Sequence, residues 1–298
     1  MNHILKYKKM KIALLIVILN ISNSSCGNEP KQEPKTINNN IELSSIVDSA
    51  LMIQEHLVID SSSKKHQDTS RTTKAKNKDE DVLSGLFQDN VDSVINTAFA
   101  NGNLVLIQKK IKEIEADAAI PSSYKNYWKT YLLYFSAIYT KNSLKDDDKA
   151  SDAIDKAIES AEKNLKTSDD YALYAACISY SVQFSNMVKI SNVSSKANEN
   201  ANRALELNPK NVRAYYVLTS QNFYTPKMFG GMTKVEEYGI KGINCPIKID
   251  NNFYGATWSK ENIYELLIKF YQTENRLEDL AKIKKLAKQE FPEFFKQL

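Results

Sequence analysis

Histidine is almost missing from this chain of 298 residues: there are 3, and His3, His56 and His66 all lie in its first quarter. The remainder therefore cannot build a Ser–His or Cys–His nucleophile system or a histidine metal site. Glycine and proline are scarce as well, at 8 and 7, and long stretches contain neither. A sheet protein of this length needs turn residues far more often, so composition points to helices. An excess of one charge is also lacking. With 40 basic and 36 acidic residues the net charge is +4, too balanced for the strongly basic face of a nucleic-acid binder. Cysteine numbers 3; an oxidising compartment permits a disulfide between Cys177 and Cys245, and spacing alone does not establish one. Cys177 sits in an apolar run and reads as a buried free thiol, and neither it nor Cys245 has a second ligand nearby to suggest zinc.

Hydrophobic residues are plentiful at 42%, enough for a sizeable core, and 16 Tyr and 11 Phe stand against 2 Trp. The N-terminus reads as an address. Lys6, Lys8, Lys9 and Lys11 precede an apolar run, Ile12 to Ile21, that has signal-peptide length and is too short to span a bilayer comfortably. Ser22-Asn23-Ser24-Ser25-Cys26 follows. Small residues before a Cys resemble the lipobox of bacterial lipoproteins, with Asn23 standing where an aliphatic residue is usual. The resemblance implies a signal peptide over 1–25, a lipid on Cys26, and a place in the cell envelope, on the outer membrane facing the periplasm.

Residues 26–80 are polar and read as a tether reaching on the order of 40 Å, interrupted by one short candidate helix over 41–59. From 81 to 298 the pattern is helical throughout. Val94, Ile95, Ala98 and Phe99 recur at helical spacing before Gly102, a natural stop. Leu104, Ile107, Ile111 and Ile114 form a second stripe, and Pro121 punctuates before an aromatic helix that runs to Tyr139. Asp146, Asp147 and Asp148 belong in the first turn of the next helix, and Ser168 is placed to cap the one after. Near the C-terminus, Leu277, Leu280, Ile283, Leu286 and Ala287 form a final stripe.

Ala197, Ala201 and Ala204 share one helix face ahead of Asn208-Pro209. This window resembles the second helix of a tetratricopeptide repeat, and Ala150 to Leu165 resembles it too, without the proline. The fold expected is all-α: divergent tetratricopeptide-like hairpins in a short right-handed solenoid, with a plain helical bundle as the alternative. Further on, Tyr224-Thr225-Pro226-Lys227-Met228-Phe229-Gly230-Gly231 is similar to a loop in a group of bacterial envelope proteins with such helices. Trp258 resembles the start of that group's final helices, with Ser259 where the group carries Gly. That resemblance implies architecture and location, and carries no activity to transfer.

Phe229 is expected to plug a gap between helices, with Gly239 and Gly242 permitting close contact behind it. Acidic residues such as Asp152, Asp155, Glu159 and Glu162 alternate with lysines as a solvated helix face does, and no enzyme, cofactor or metal is expected. The function expected is a lipid-anchored scaffold or adaptor that binds an envelope protein or peptide in a helical-repeat groove. Arg213, Tyr216, Tyr224, Phe229 and Trp258 are its candidate contacts. Two alternatives stay open: a carrier of a small molecule or lipid, and a glycan hydrolase working through two carboxyls that line a pocket.

Overall fold

The computed structural model describes residues 86–248 and 252–296. The expected leader, Cys26 and the tether with its short helix lie outside the described residues. Those described form ten α-helices and no strand. In order they are α1 (Phe87–Asn101), α2 (Val105–Ala116), α3 (Ser122–Tyr139), α4 (Asp147–Glu162) and α5 (Ser168–Ser181). After these come α6 (Met187–Leu207), α7 (Val212–Tyr224), α8 (Val235–Ile243), α9 (Lys260–Thr273) and α10 (Leu277–Glu290).

Local chemistry sets the boundaries. Gly102 ends α1 at a φ of +64°, and its N–H returns to the Ala98 carbonyl. Asp146 caps α4 by accepting from the Lys149 N–H. Asn186 and Asn211 do the same for α6 and α7. The cap of α5 is Thr167, one residue before the expected Ser168, because Thr167 and Asp170 form a reciprocal capping box. The Ser168 hydroxyl instead donates to the Ala204 carbonyl at 2.7 Å and ties α5 to α6. Pro226 cannot continue α7, which ends at Tyr224.

The helices pair as hairpins, α1 with α2 through α9 with α10, and the odd-numbered helices also touch in succession from α1 to α9. This alternation explains their composition. An odd-numbered helix in mid-chain meets neighbours on several sides, so α3, α5, α7 and α9 bury residues nearly all round. The even-numbered helices bury one stripe: Ala150, Ile154 and Ala157 on α4, and Ala197, Ala201 and Ala204 on α6. Ala204 meets Ala172 of α5 and Ala214 of α7, three small side chains that let three helices approach closely. The final stripe is narrower than expected. Ile283 and Ala287 are buried, whereas Leu277 and Leu286 are exposed, because α10 packs mainly on α9.

Cys177 and Cys245 are buried free thiols. Gly239 and Gly242 sit where expected. A Cβ at Gly242 would lie 2.5 Å from Ile263 Cδ1 and 3.0 Å from Tyr215 Cβ, so a larger residue there would have to displace the Ile263 side chain and crowd α7. Gly242→Ala is expected to cost about 1–3 kcal/mol by overpacking. Thermal denaturation should show Tm falling by roughly 2–4 °C per kcal/mol, and an unchanged Tm would mean that the three helices can separate freely.

Candidate functional site

Residues 252–259, between α8 and α9, form a strap across the N-terminal halves of the odd-numbered helices. The Phe87 N–H donates to the Phe253 carbonyl at 3.1 Å, and the Thr257 N–H donates to Gln88 Oε1 at 2.6 Å. Trp128 Nε1–H donates to the Tyr254 carbonyl at 3.1 Å, and Trp258 Nε1–H to the Tyr127 hydroxyl at 2.8 Å. Both tryptophans are thus buried with their one polar atom satisfied, as burial of an indole requires. The Tyr254 ring stacks on Tyr124 with centroids 5.5 Å apart.

Arg213 holds the strap to α5 and α7. Its side chain is 1% exposed. Nε and Nη2 donate to Asp169 Oδ1 at 3.0 and 2.7 Å, and Nη1 donates to the Ala256 carbonyl at 2.9 Å and the Ile247 carbonyl at 3.3 Å. Asn211 Nδ2 reaches the same Asp169 oxygen at 2.7 Å. A buried guanidinium is tolerated because its donors are met by an opposite charge and two carbonyls.

Beside the strap, α1, α3, α7 and the start of α9 line a small recess that opens to solvent. The first and last odd-numbered helices both line it, so the row of helices curls round one space. Phe99, Tyr131, Tyr134, Phe135, Tyr216 and Trp258 supply aromatic walls. Asp92, Asn96, Glu261 and Asn262 supply polar groups, and neither Lys nor Arg lines it. The Tyr131 hydroxyl and Gln88 Nε2 each donate to Asp92 at 3.1 Å, which fixes that carboxyl at the edge of the aromatic wall. Burial pushes the Tyr131, Tyr134 and Tyr216 hydroxyls up from the ordinary phenol value, so they act as neutral hydrogen-bonding groups. One turn along α9 from Glu261, burial pushes the Glu265 carboxyl up to about 7, against the opposing charge of Lys269. Burial lowers Lys269 in turn.

The five residues expected to share a groove do not share one. Tyr216 and Trp258 meet in the recess, ring centroids 6.1 Å apart and nearly perpendicular. Tyr224 is half-buried on the same helix as Tyr216. Arg213 is wholly internal and cannot touch a partner. Phe229 is 73% exposed and plugs nothing, because the turn at Gly230 carries it away from the helices. Sequence reading missed Asp92, Glu261 and the α3 tyrosines. Lys260-Glu261-Asn262, three polar residues that open α9, are all buried, which their sequence does not announce. Lys260 pairs with Glu290 at 2.5 Å, whereas Glu261 and Asn262 line the recess.

No protein-family model matches the chain, and no curated protein matches it. Among solved structures it is similar to the HusA haemophore from Porphyromonas gingivalis, with a TM-score of 0.45 and 18% identity, covering 64% of this chain and 96% of that one. A likeness this slight carries no ligand or activity across.

Ser259 stands at the mouth of α9 with a φ of +92°, in the left-handed region that favours glycine, and its buried hydroxyl has no hydrogen bond. Ser259→Gly is expected to stabilise the fold by about 1 kcal/mol through relief of that strain, read as a higher Tm. A lower Tm would show that the hydroxyl contributes more than the strain costs. Glu265 generates a second prediction. Its folded pKa of about 7 lies above the ordinary 4.5, so the folded state favours the protonated form and stability declines as pH rises across that window. The decline approaches about 3 kcal/mol at most. Glu265→Gln should abolish that decline in denaturant titrations at successive pH values. An identical slope in the variant would assign the decline to another group.

Proposed function

We propose that the chain is a non-enzymatic, lipid-anchored protein of the bacterial envelope that carries a small ligand in the recess beside its strap. The observation that carries this reading is that the chain's own residues 252–259 cover part of the odd-helix face and leave an aromatic-walled recess in place of an open groove. Aromatic walls favour a flat apolar or aromatic body. Asp92 and Glu261 favour a hydrogen-bonding or cationic edge on it. The alternation of inner and outer helices supports reading the body as divergent tetratricopeptide-like hairpins in a short right-handed solenoid. The lipobox-like Ser22 to Cys26 supports the anchor, and the anchor supports the outer-membrane, periplasm-facing location. An adaptor that grips a peptide along the odd-numbered helices would need the strap to lift.

A second reading has its own observation. Asp92 and Glu261 are two carboxyls lining one recess, the residue types a glycan hydrolase uses. Trp258 fluorescence in a Trp128→Phe background separates the two. Titration of the full-length protein with flat aromatic probes, cationic, neutral and anionic, should give saturable quenching, strongest for the cation. Asp92→Asn with Glu261→Gln should weaken the cation about tenfold, the loss of about 1.4 kcal/mol, with circular dichroism unchanged. Absence of saturable quenching by every probe would sink the carrier. Release of sugar from envelope glycan, lost in Glu261→Gln, would establish the hydrolase instead.

A further inference from the structure

Among the described residues ten large hydrophobic side chains are exposed, and their placement is uneven. Each of the five turns inside a hairpin presents at least one: Val105 after α1, Leu144 after α3, Met187 and Val188 after α5, Met228 and Phe229 after α7, and Leu277 after α9. These turns lie at one end of the domain. Phe99 and Tyr139 pack with centroids 4.9 Å apart, which joins the first turn to the second. Lys141 Nζ lies 5.7 Å over the Phe184 ring, joining the second to the third. Gln221 Nε2 donates to the Ser194 carbonyl at 3.4 Å, bringing the end of α7 against the first turns of α6. Lys227 pairs with Glu274 at 3.0 Å, joining the fourth to the fifth.

The third and fourth turns are the most exposed. Met187 and Val188 are 89% and 86% exposed, and Met228 and Phe229 are 82% and 73%. Neither turn is loosely built. Asn186 caps α6 immediately before Met187. In the other, the Gly231 N–H donates to the Pro226 carbonyl, the Met232 N–H to the Asn222 carbonyl, and the Lys234 N–H to Asn222 Oδ1. A Cβ at Gly231 would lie 1.6 Å from the Thr225 carbonyl oxygen, so the loop closes as tightly as glycine permits. A Cβ at Gly230 would meet nothing within 4 Å, so the tip projects outward. The fold holds four apolar side chains rigidly out in water, where they add nothing to its own stability. Residues 185–191 and 225–234 also contain Lys189, Lys227 and Lys234 and no acid.

We infer that this end of the domain is a membrane-contact surface, in which the third and fourth turns enter the headgroup region of a bilayer containing anionic lipid. Projecting prongs suit a deformable, flat partner and not a protein knob, which needs a concavity to receive it. Apolar tips with lysines at their base match the order of acyl chain and anionic phosphate met on entering a leaflet. The inference stands whatever the recess binds.

The test is site-directed spin labelling of the full-length protein in vesicles of phosphatidylethanolamine and phosphatidylglycerol. A nitroxide is placed at Met228→Cys or, at the opposite end of α6, at Leu207→Cys. Both native sites are exposed, and the remaining thiols of the described residues are buried. The expected result is several-fold protection of the 228 label from a water-soluble nickel chelate, with the 207 label as accessible as in solution. Protection at 228 should fall when Lys189, Lys227 and Lys234 are replaced by Gln, and in phosphatidylcholine vesicles. A 228 label as open to nickel in vesicles as in solution would overturn the surface. Equal protection of both labels would overturn its polarity, and protection indifferent to lipid charge would overturn the choice of anionic lipid.

Discussion

The buried guanidinium of Arg213 is the constraint around which the domain is arranged. Through Asp169 it fixes α5 to α7, through the carbonyl of Ala256 it fixes the strap to both, and through that of Ile247 it holds the chain that follows α8. Remove the charge, and Asp169 keeps only Asn211 and solvent, while the carbonyls of Ile247 and Ala256 lose this donor. The strap is what brings Trp258 over Tyr127 and Tyr254 under Trp128, so the shape of the recess follows from an ion pair that never touches its contents. An ion pair at this depth is better at selecting one geometry than at adding stability.

Much of the fold was legible because helices advertise themselves locally. Gly102, Pro121, Asp146 and Pro226 are punctuation that acts within one turn of where it is written, and the alanine stripe of α6 announces close packing without naming what packs there. The misplaced cap at Ser168 shows the limit of such reading, since two adjacent hydroxyls compete and the partner at Asp170 decides between them. The exposure of Leu277 and Leu286 shows another: periodicity gives the face of a helix, whereas the number of neighbours sets how much of that face is covered.

The site was far less legible, for a reason particular to its construction. Asp92 and Glu261 are separated by most of the domain in sequence and are brought together by the curl of five helices and the strap. Nothing local marks Glu261 as different from any acid in a first helical turn, the position where a favourable dipole makes acids common. Arg213 misled in the opposite direction. A charged residue between Val212 and Ala214 invites a binding role, yet it was the strap, itself unrecognised in the sequence, that had claimed it.

The strap also changes what kind of object the stack of hairpins is. An open array of hairpins is a sum of neighbours, and such arrays gain or lose units at their ends with local consequences. Here Trp128 meets Tyr254 across 126 positions and Gln88 meets Thr257 across 169, so α1 and α3 fasten to the segment that leads into α9. A chain fastened in this way has a fixed number of hairpins, because one more or one fewer would carry the strap past its anchors. Its folding must wait for the C-terminal quarter before the N-terminal helix is held, which trades the stepwise growth of an array for a single cooperative closure.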